Sequence, residues 1–336
     1  MNAMRPEPLV EVDNLVVSFA RDDDIMRAVN GVSFTVMPGE VLCLIGESGS
    51  GKSVTMRALM GLLPRRTAAV TGRIRVGTHE ILALDERRLA ALRGALMAMI
   101  FQEPMTALDP VYTIGHQIAE TVRRHARATR QAAMARALEL LQLVKVPSPE
   151  RRLKAYPHEL SGGMRQRAMI AIALACQPAL LLADEPTTAL DATVQVQVLI
   201  LLRKLQQEFG MGLIFVTHDL GVAAQIADRV AVMYAGRIVE EGSARDVLLN
   251  PRHPYTMGML ASTLNGRVRG SDIEVIPGSP PDTRALPPGC SFAPRCRFGA
   301  PSCRETLPAS LEIGAAHRVA CLRLSEVSSS TTLAVS

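Results

Sequence analysis

The chain is predicted to fold as an α/β protein on a parallel sheet core, with an antiparallel β layer, a helical insertion and a Pro/Cys-rich C-terminal extension. Three observations predict it. A short apolar run at residues 41–45 feeds a glycine-rich loop and then a helical stretch over 52–63, which Pro64 stops. Apolar runs at 180–183, 213–216 and 230–233 alternate with helical stretches over 193–208 and 220–227, the order that builds a buried parallel sheet. Between residues 113 and 146, Ile118, Val122, Ala133, Ala137, Leu140, Leu141 and Val144 recur at helical spacing with no strand-like interval, so helices interrupt the sheet there.

The remaining elements follow in chain order. Val10 and Val12, Leu15 and Val17, and the alternation Val32, Phe34, Val36 mark short strands around polar turns, ending at Pro38-Gly39. They form the antiparallel layer. Beyond Gly242 the periodicity weakens and Pro251, Pro254, Pro277, Pro280, Pro281, Pro287 and Pro288 punctuate the segment. A domain boundary is placed near Glu240. It separates residues 8–240, with a helical subdomain over about 103–165, from an extension over 241–324. The Ser/Thr-rich residues 325–336 are expected to be disordered. No internal repeat is present.

Composition bounds the function. A length of 336 residues suits one large domain plus an appendage. The hydrophobic share is 48%, and the longest apolar stretch, 168–183, is broken by Gln177-Pro178, so no transmembrane helix is expected. The N-terminal region carries Glu7, Glu11 and Asp13 without the basic and apolar runs of a secretory signal, which predicts a cytoplasmic chain. A net charge of +5, from 37 basic and 32 acidic residues, suits an anionic ligand or a lipid surface without demanding either. Aromatic residues are 3% with no Trp, leaving few stacking platforms for single-stranded nucleic acid, so nucleic-acid binding is disfavoured.

Three segments carry chemistry. Gly46-Glu47-Ser48-Gly49-Ser50-Gly51-Lys52-Ser53 fits a P-loop, whose glycines let backbone N–H groups wrap phosphates at a helix N-terminus. There Lys52 would neutralise the β- and γ-phosphates and Ser53 would bind Mg²⁺. At the end of the apolar run 180–183, Asp184 can hold Mg²⁺ through water and Glu185 can polarise an attacking water, which implies hydrolysis of the bound nucleotide. An acidic cap before Pro186 is the other reading of that pair. At residues 160–164, Gly162 and Gly163 free backbone amides and Ser161 adds a hydroxyl at a helix start, a place suited to a γ-phosphate or, more plainly, an N-cap. Gln102 follows the strand-like run 97–101, residues 188–191 follow the acidic pair, and His218 ends the run 213–217.

In this order and spacing the chain resembles the nucleotide-binding subunit of ATP-binding cassette (ABC) transporters over about residues 8–245. The resemblance implies a P-loop NTPase cassette with a RecA-like parallel core. It implies that ATP is bound by Gly46, Glu47, Ser48, Gly49, Ser50, Gly51, Lys52, Ser53 and Val54. A second copy of the cassette would cover it with Ser161, Gly162, Gly163, Met164 and Asp191. Glu185, His218 and Gln102 would be catalytic, His218 as the switch histidine and Gln102 as the link between Mg²⁺ and the membrane subunits. Mg²⁺ would rest on Ser53, Gln102 and Asp184. Phe19 is similar to the aromatic residue that stacks on adenine, although a core Phe reads equally well. Met164 stands where many family members have Gln, which removes one polar side chain and leaves the Ser and Gly contacts intact.

The run from Tyr156 to Arg167, residues 101–110 and His253-Pro254-Tyr255-Thr256 resemble the oligopeptide and dipeptide importer subfamily. That resemblance implies ATP-driven uptake of di- or oligopeptides, with nickel, glutathione or another small solute as alternative cargo. It implies a second ABC ATPase subunit, two transmembrane permease subunits and an extracytoplasmic solute-binding protein. It also implies a peripheral position on the cytoplasmic face of the inner membrane. A soluble ABC ATPase of DNA repair or translation is the rival class, but neither long heptad insertions nor a second cassette occurs.

Of six cysteines, Cys290, Cys296, Cys303 and Cys321 lie in the extension with 5, 6 and 17 residues between successive members. Structural disulfides do not suit a reducing compartment. Four thiolates suit a [4Fe-4S] cluster or zinc, and unliganded thiols are the third reading; the usual pair spacing of structural zinc is absent. His317 is a spare ligand candidate or a loop histidine. Cys43 and Cys176 read as core residues. Arg123, Arg124, Arg127, Arg130, Arg151 and Arg152 make the helical insertion basic, as a solvated face or a contact for anionic headgroups.

Overall fold

The computed structural model describes residues 7–21, 24–188, 190–264, 275–314 and 316–327. In chain order the strands are β1 (Val10–Arg21), β2 (Asp24–Val36), β3 (Val41–Ile45), β4 (Ala68–Val76), β5 (His79–Glu80), β6 (Met97–Ile100), β7 (Leu180–Asp184), β8 (Gly212–Thr217), β9 (Arg229–Tyr234), β10 (Arg237–Ser243), β11 (Leu311–Gly314) and β12 (His317–Val319). The helices are α1 (Lys52–Leu59), α2 (Glu86–Leu92), α3 (Pro104–Ala107), α4 (Ile114–Ala126), α5 (Arg130–Leu143), α6 (Pro149–Arg152), α7 (Gly162–Ala173), α8 (Ala192–Phe209), α9 (Leu220–Ile226), α10 (Ala244–Leu249), α11 (Pro254–Leu264) and α12 (Pro301–Glu305).

Two compact units form, each from discontinuous segments. The first comprises residues 1–10, 35–41 and 75–216, and the second 11–34, 42–74 and 217–336. In the first, β7 lies between β6 and β8 in parallel register, Leu180 opposite both Met97 and Gly212. Every residue of β6, β7 and β8 is buried, which is why these strands read as unbroken apolar runs. The helical insertion is α4 and α5, capped by the hydroxyls of Thr113 and Thr129, which accept from the N–H groups of His116 and Ala132. Their inward stripe is the one read from spacing: Ile118, Val122, Ala133, Ala137, Leu140 and Leu141 are buried. Arg167 on α7 is also buried there, and its guanidinium donates to the Val144 carbonyl at 2.8 Å.

In the second unit β1 lies between β2 and β4. The separate short strands expected between residues 9 and 36 are two long ones, since Val10, Val12, Leu15 and Val17 all lie buried along β1. The parallel pair β3–β9, with Cys43 opposite Val230, continues antiparallel through β10 to β12 and β11. Cys43 is fully buried as expected, whereas Cys176 is only half-buried and its thiol lies 3.8 Å from the Thr121 carbonyl. The composition break near Glu240 falls inside β10, where Glu240 pairs with Val319 of the extension. The extension thus completes a sheet begun upstream. β10 escapes an apolar-run search because Glu240 and Glu241 are buried but satisfied. Glu240 accepts from the backbone N–H groups of Arg252 (2.7 Å) and His253 (2.9 Å) and faces His317 Nε2 at 2.9 Å, while Glu241 is paired with Arg229. His317 is therefore a buried partner of Glu240. Of the tail over 325–336, residues 328–336 lie outside the described residues.

Candidate functional site

β3 runs directly into the loop 46–53, and α1 begins at Lys52. The glycines at both ends of this loop are obligatory. At Gly46 (φ +153°) a Cβ would lie 2.2 Å from the Met233 carbonyl oxygen, and at Gly51 (φ +102°) one would lie 2.4 Å from that of Ala28. Lys52 is buried, and its ammonium donates to the Gly46 and Glu47 carbonyls, both at 2.8 Å, and to Ser50 Oγ at 3.3 Å. The loop thereby holds a positive charge inside its own curve, with Ser53 on the first turn of α1 and Thr55 Oγ1 tying that turn to the Gly51 carbonyl. Such an arrangement receives polyphosphate. Val54 is half-buried on the same turn, and Phe19 is half-buried on β1, outside the core.

Glu47 is gripped from the extension. Its backbone N–H donates to Tyr255 Oη at 2.8 Å, and its carboxylate pairs with Arg295 Nη1 at 3.0 and 3.3 Å. Neither partner was found by sequence reasoning. Tyr255 carries a sequence signal only within the quadruplet His253-Pro254-Tyr255-Thr256, and Arg295 carries none. No local pattern reports a meeting across 208 or 248 positions.

In the first unit, Asp184 closes β7 with its carboxylate buried, and Glu185 follows in the left-handed region (φ +45°), its N–H held by the Val216 carbonyl at 3.0 Å. Glu185 Oε2 accepts from Gln102 Nε2 at 3.2 Å and from Thr188 Oγ1 at 3.0 Å. Three sequence-predicted segments thus meet on one carboxylate oxygen. A carboxylate fixed this way can take a proton from water.

Ser161 is the N-cap of α7, its hydroxyl accepting from the Met164 N–H at 3.4 Å. Ser161, Gly162, Gly163 and Met164 line one open pocket with Asp191, itself the N-cap of α8 through Val194. A Cβ on Gly163 would lie 2.7 Å from Val194 Cγ1, so a larger residue there would have to displace the Val194 side chain. The N-cap reading is what the geometry shows, and Ser161 and Gly162 remain exposed at the helix start. His218 is exposed just after β8, before Asp219, which caps α9. Among the predicted residues, Gln102, Asp184, Glu185, Asp191 and the 161–164 turn belong to the first unit, and Phe19, the loop 46–53, Val54 and His218 to the second.

Cys290, Cys296, Cys303 and Cys321 share one neighbourhood: the Cys290 N–H donates to the Cys303 carbonyl at 2.8 Å, and Cys321 interacts electrostatically with the other three. Burial pushes the thiols of Cys290, Cys296 and Cys321 up, that of Cys321 to about 11, which keeps them protonated. The expected metal-ready thiolate set is not found: among the described residues no group of three or more His, Cys, Asp or Glu is placed to hold a metal ion.

Known proteins resemble the chain in two stretches and along most of its length. The ABC transporter family profile matches residues 29–188, and the profile described as oligopeptide/dipeptide transporter, C-terminal region, matches residues 239–303. The chain is 50% identical over 321 residues to a protein described as a probable peptide ABC transporter ATP-binding protein, y4tR, of Sinorhizobium fredii, covering 95% of this chain and 96% of that one. It is 46% identical to the dipeptide transport ATP-binding protein DppD of Bacillus subtilis, over 94% of each. Among solved structures, the ATP-binding cassette MJ0796, a dimer in a post-hydrolysis state bound to ADP and Pi, is similar with a TM-score of 0.64 at 29% identity, covering 70% of this chain and 99% of that one.

Proposed function

Because this chain belongs to the ABC transporter family of ATP-binding subunits, we propose that it hydrolyses ATP to drive uptake of di- or oligopeptides through partner membrane subunits. The observation that carries the reading is the Glu185 carboxylate, fixed by Gln102 and Thr188 at the end of β7 in a chain that also carries an intact phosphate loop. The peptide assignment is supported by the match of residues 239–303 to the oligopeptide/dipeptide transporter C-terminal region and by relatives named for peptide and dipeptide transport.

In this reading the loop 46–53 binds the triphosphate, with Lys52 turning from its carbonyl partners to the phosphate oxygens. Glu185 holds and deprotonates the attacking water, and Gln102 and Thr188 keep its carboxylate oriented. Ser161, Gly162, Gly163, Met164 and Asp191 offer amides and a cap to the nucleotide of a second ATPase subunit, so that ATP joins the pair and hydrolysis releases it. His218 contacts the γ-phosphate, and Phe19 stacks on the adenine. Ser53, Asp184 and Gln102 supply the oxygen ligands that suit Mg²⁺, which neutralises phosphate charge when bound. The buried carboxylate of Asp184 in the first unit and the helix-start hydroxyl of Ser53 in the second are each an oxygen donor of the kind a hard cation takes.

Among the described residues no helix is long and apolar enough to cross a membrane. By likeness to peptide-transport ATP-binding relatives, the chain works as a peripheral subunit on the cytoplasmic face, with two permease subunits, a second ATPase and an extracytoplasmic solute-binding protein that selects the cargo. Residues 8–240 are assigned as the ATPase domain and 241–324 as its subfamily-specific extension. A [4Fe-4S] cluster on Cys290, Cys296, Cys303 and Cys321 is proposed, with zinc or unliganded thiols as the alternatives; its support is that the four thiols share one neighbourhood. Iron-free, colourless protein after anaerobic purification defeats that assignment.

The test of the function is uptake of labelled di- and oligopeptides by cells carrying or lacking the gene, with nickel and glutathione as competing cargo. Loss of peptide uptake on deletion, restored by the wild-type chain and not by Glu185→Gln, is expected. Unchanged peptide uptake with lost nickel or glutathione uptake would transfer the assignment to that solute.

A further inference from the structure

Residue 47 is the second residue of the phosphate-binding loop, and both its backbone and its side chain are held by the extension. Tyr255 is fully buried; its ring packs against Tyr234 (centroids 4.6 Å apart) and Phe292 (5.4 Å), and Phe292 meets Tyr234 edge-on at 5.3 Å. This aromatic wedge fixes the hydroxyl that accepts the Glu47 N–H at 2.8 Å. His253 sets the entry to α11: its buried Nδ1 accepts the Tyr255 N–H at 3.1 Å, while its own N–H is held by Glu240 at 2.9 Å. Arg295 is just as fixed. Only 7% of its side chain is exposed, its Nε donates to the Pro277 carbonyl at 2.8 Å, and its Nη1 reaches Tyr234 Oη at 3.3 Å as well as Glu47.

We propose that Tyr255 and Arg295 are positioning residues for ATP binding, reaching from the C-terminal extension to hold the phosphate loop in its receptive form. Two physical effects support it. A carboxylate in a polyphosphate-binding loop repels its ligand, and Arg295 neutralises that of Glu47 where solvent screens poorly. The loop must also present its backbone N–H groups in one arrangement, and the buried tyrosine hydroxyl pins its first limb, so less ordering remains when phosphate arrives. Phe292 and Arg295 both lie between Cys290 and Cys296, so the fold of that short segment sets the geometry of the grip.

The inference rests on ATP binding by residues 46–53, and the test separates the two. The full chain, assembled with its membrane and partner ATPase subunits, is assayed for ATP KM and kcat, with Lys52→Ala as control. Wild-type protein without Lys52-dependent ATPase defeats the ATP reading itself. Given that activity, Arg295→Ala is expected to raise the ATP KM about tenfold with kcat within about twofold, since removing one partner of this part-buried pair leaves the Glu47 charge facing the phosphates without its counter-ion. Arg295→Lys recovers part of the loss. Adding Glu47→Gln to Arg295→Ala brings KM back to within about threefold of wild type, because the stranded charge is gone. Tyr255→Phe, which removes only the hydroxyl, raises KM about threefold. If Arg295→Ala misfolds, Tyr255→Phe and Glu47→Gln decide alone. An unmoved KM in Tyr255→Phe, or a double variant no better than Arg295→Ala, overturns the proposal.

Discussion

The side-chain amide of Gln102 donates to Glu185 Oε2 at 3.2 Å, joining the second residue beyond β6 to the first beyond β7. These strands are parallel neighbours in register, Ile100 opposite Ala183, so two loops 83 positions apart leave the sheet at the same edge. Ligand-reading residues of α/β proteins gather at such carboxyl ends of strands. The contact gives the Glu185 carboxylate a fixed orientation.

Glu185→Gln should therefore preserve the local geometry, because the new amide carbonyl can accept from the same two donors, while losing the proton acceptor. Turnover is expected to fall by about 10²–10³-fold with nucleotide affinity within about threefold. Association of the ATPase subunits should persist with ATP bound. Paired measurement of ATP hydrolysis and equilibrium nucleotide binding checks this, and normal hydrolysis removes Glu185 from the role of base.

Gly46→Ala tests the loop itself. The added methyl would meet the Met233 carbonyl oxygen at 2.2 Å, a backbone atom that cannot swing aside. A loss of about 2 kcal/mol or more in stability and loss of nucleotide binding are expected, read by thermal denaturation and a fluorescent ATP analogue.

Ser161→Ala separates binding from assembly. Its cap on α7 is long, 3.4 Å to the Met164 N–H, so the stability cost should be about 0.5–1 kcal/mol. Nucleotide binding by the same chain's loop 46–53 should be unchanged, whereas turnover of the assembled complex should fall about tenfold or more. Equal loss of both would assign the turn a structural role alone.

Acid should loosen the second unit. Burial pushes the imidazole of His253 down to about 4 from about 6.5, against the opposing pull of Glu240. The unfolded chain then binds a proton that the folded chain refuses, so stability is complete above pH 6.5 and declines as pH falls toward 4, by about 3 kcal/mol in all. His253→Asn keeps an acceptor for the Tyr255 N–H and removes the titration. Its melting temperature should fall less steeply over that interval; an identical slope would assign the acid sensitivity to other groups.

The sequence was most informative where a short contiguous pattern carries the physics. The glycines of 46–51, the apolar runs of β3, β7 and β8 and the inward stripe of α4 and α5 are local, and the structure places them as read. It was least informative where satisfaction comes from afar. β10 contains two buried glutamates, and nothing nearby in sequence announces that Arg229, His317 and the N–H groups of Arg252 and His253 will satisfy them. The four cysteines were legible as a group because they cluster in sequence, yet their spacing does not report that burial holds three of the thiols neutral.

The amino-acid order alone determined that a glycine-rich loop lies between a strand and a helix and that an acidic pair ends a buried strand, because backbone conformation and strand burial depend on adjacent residues. Only the tertiary structure decided that Gln102 and Thr188 meet Glu185, and that Tyr255 and Arg295 close on Glu47. Those meetings depend on strand register and on the packing of an aromatic wedge, which the chain reaches only when distant segments are buried together.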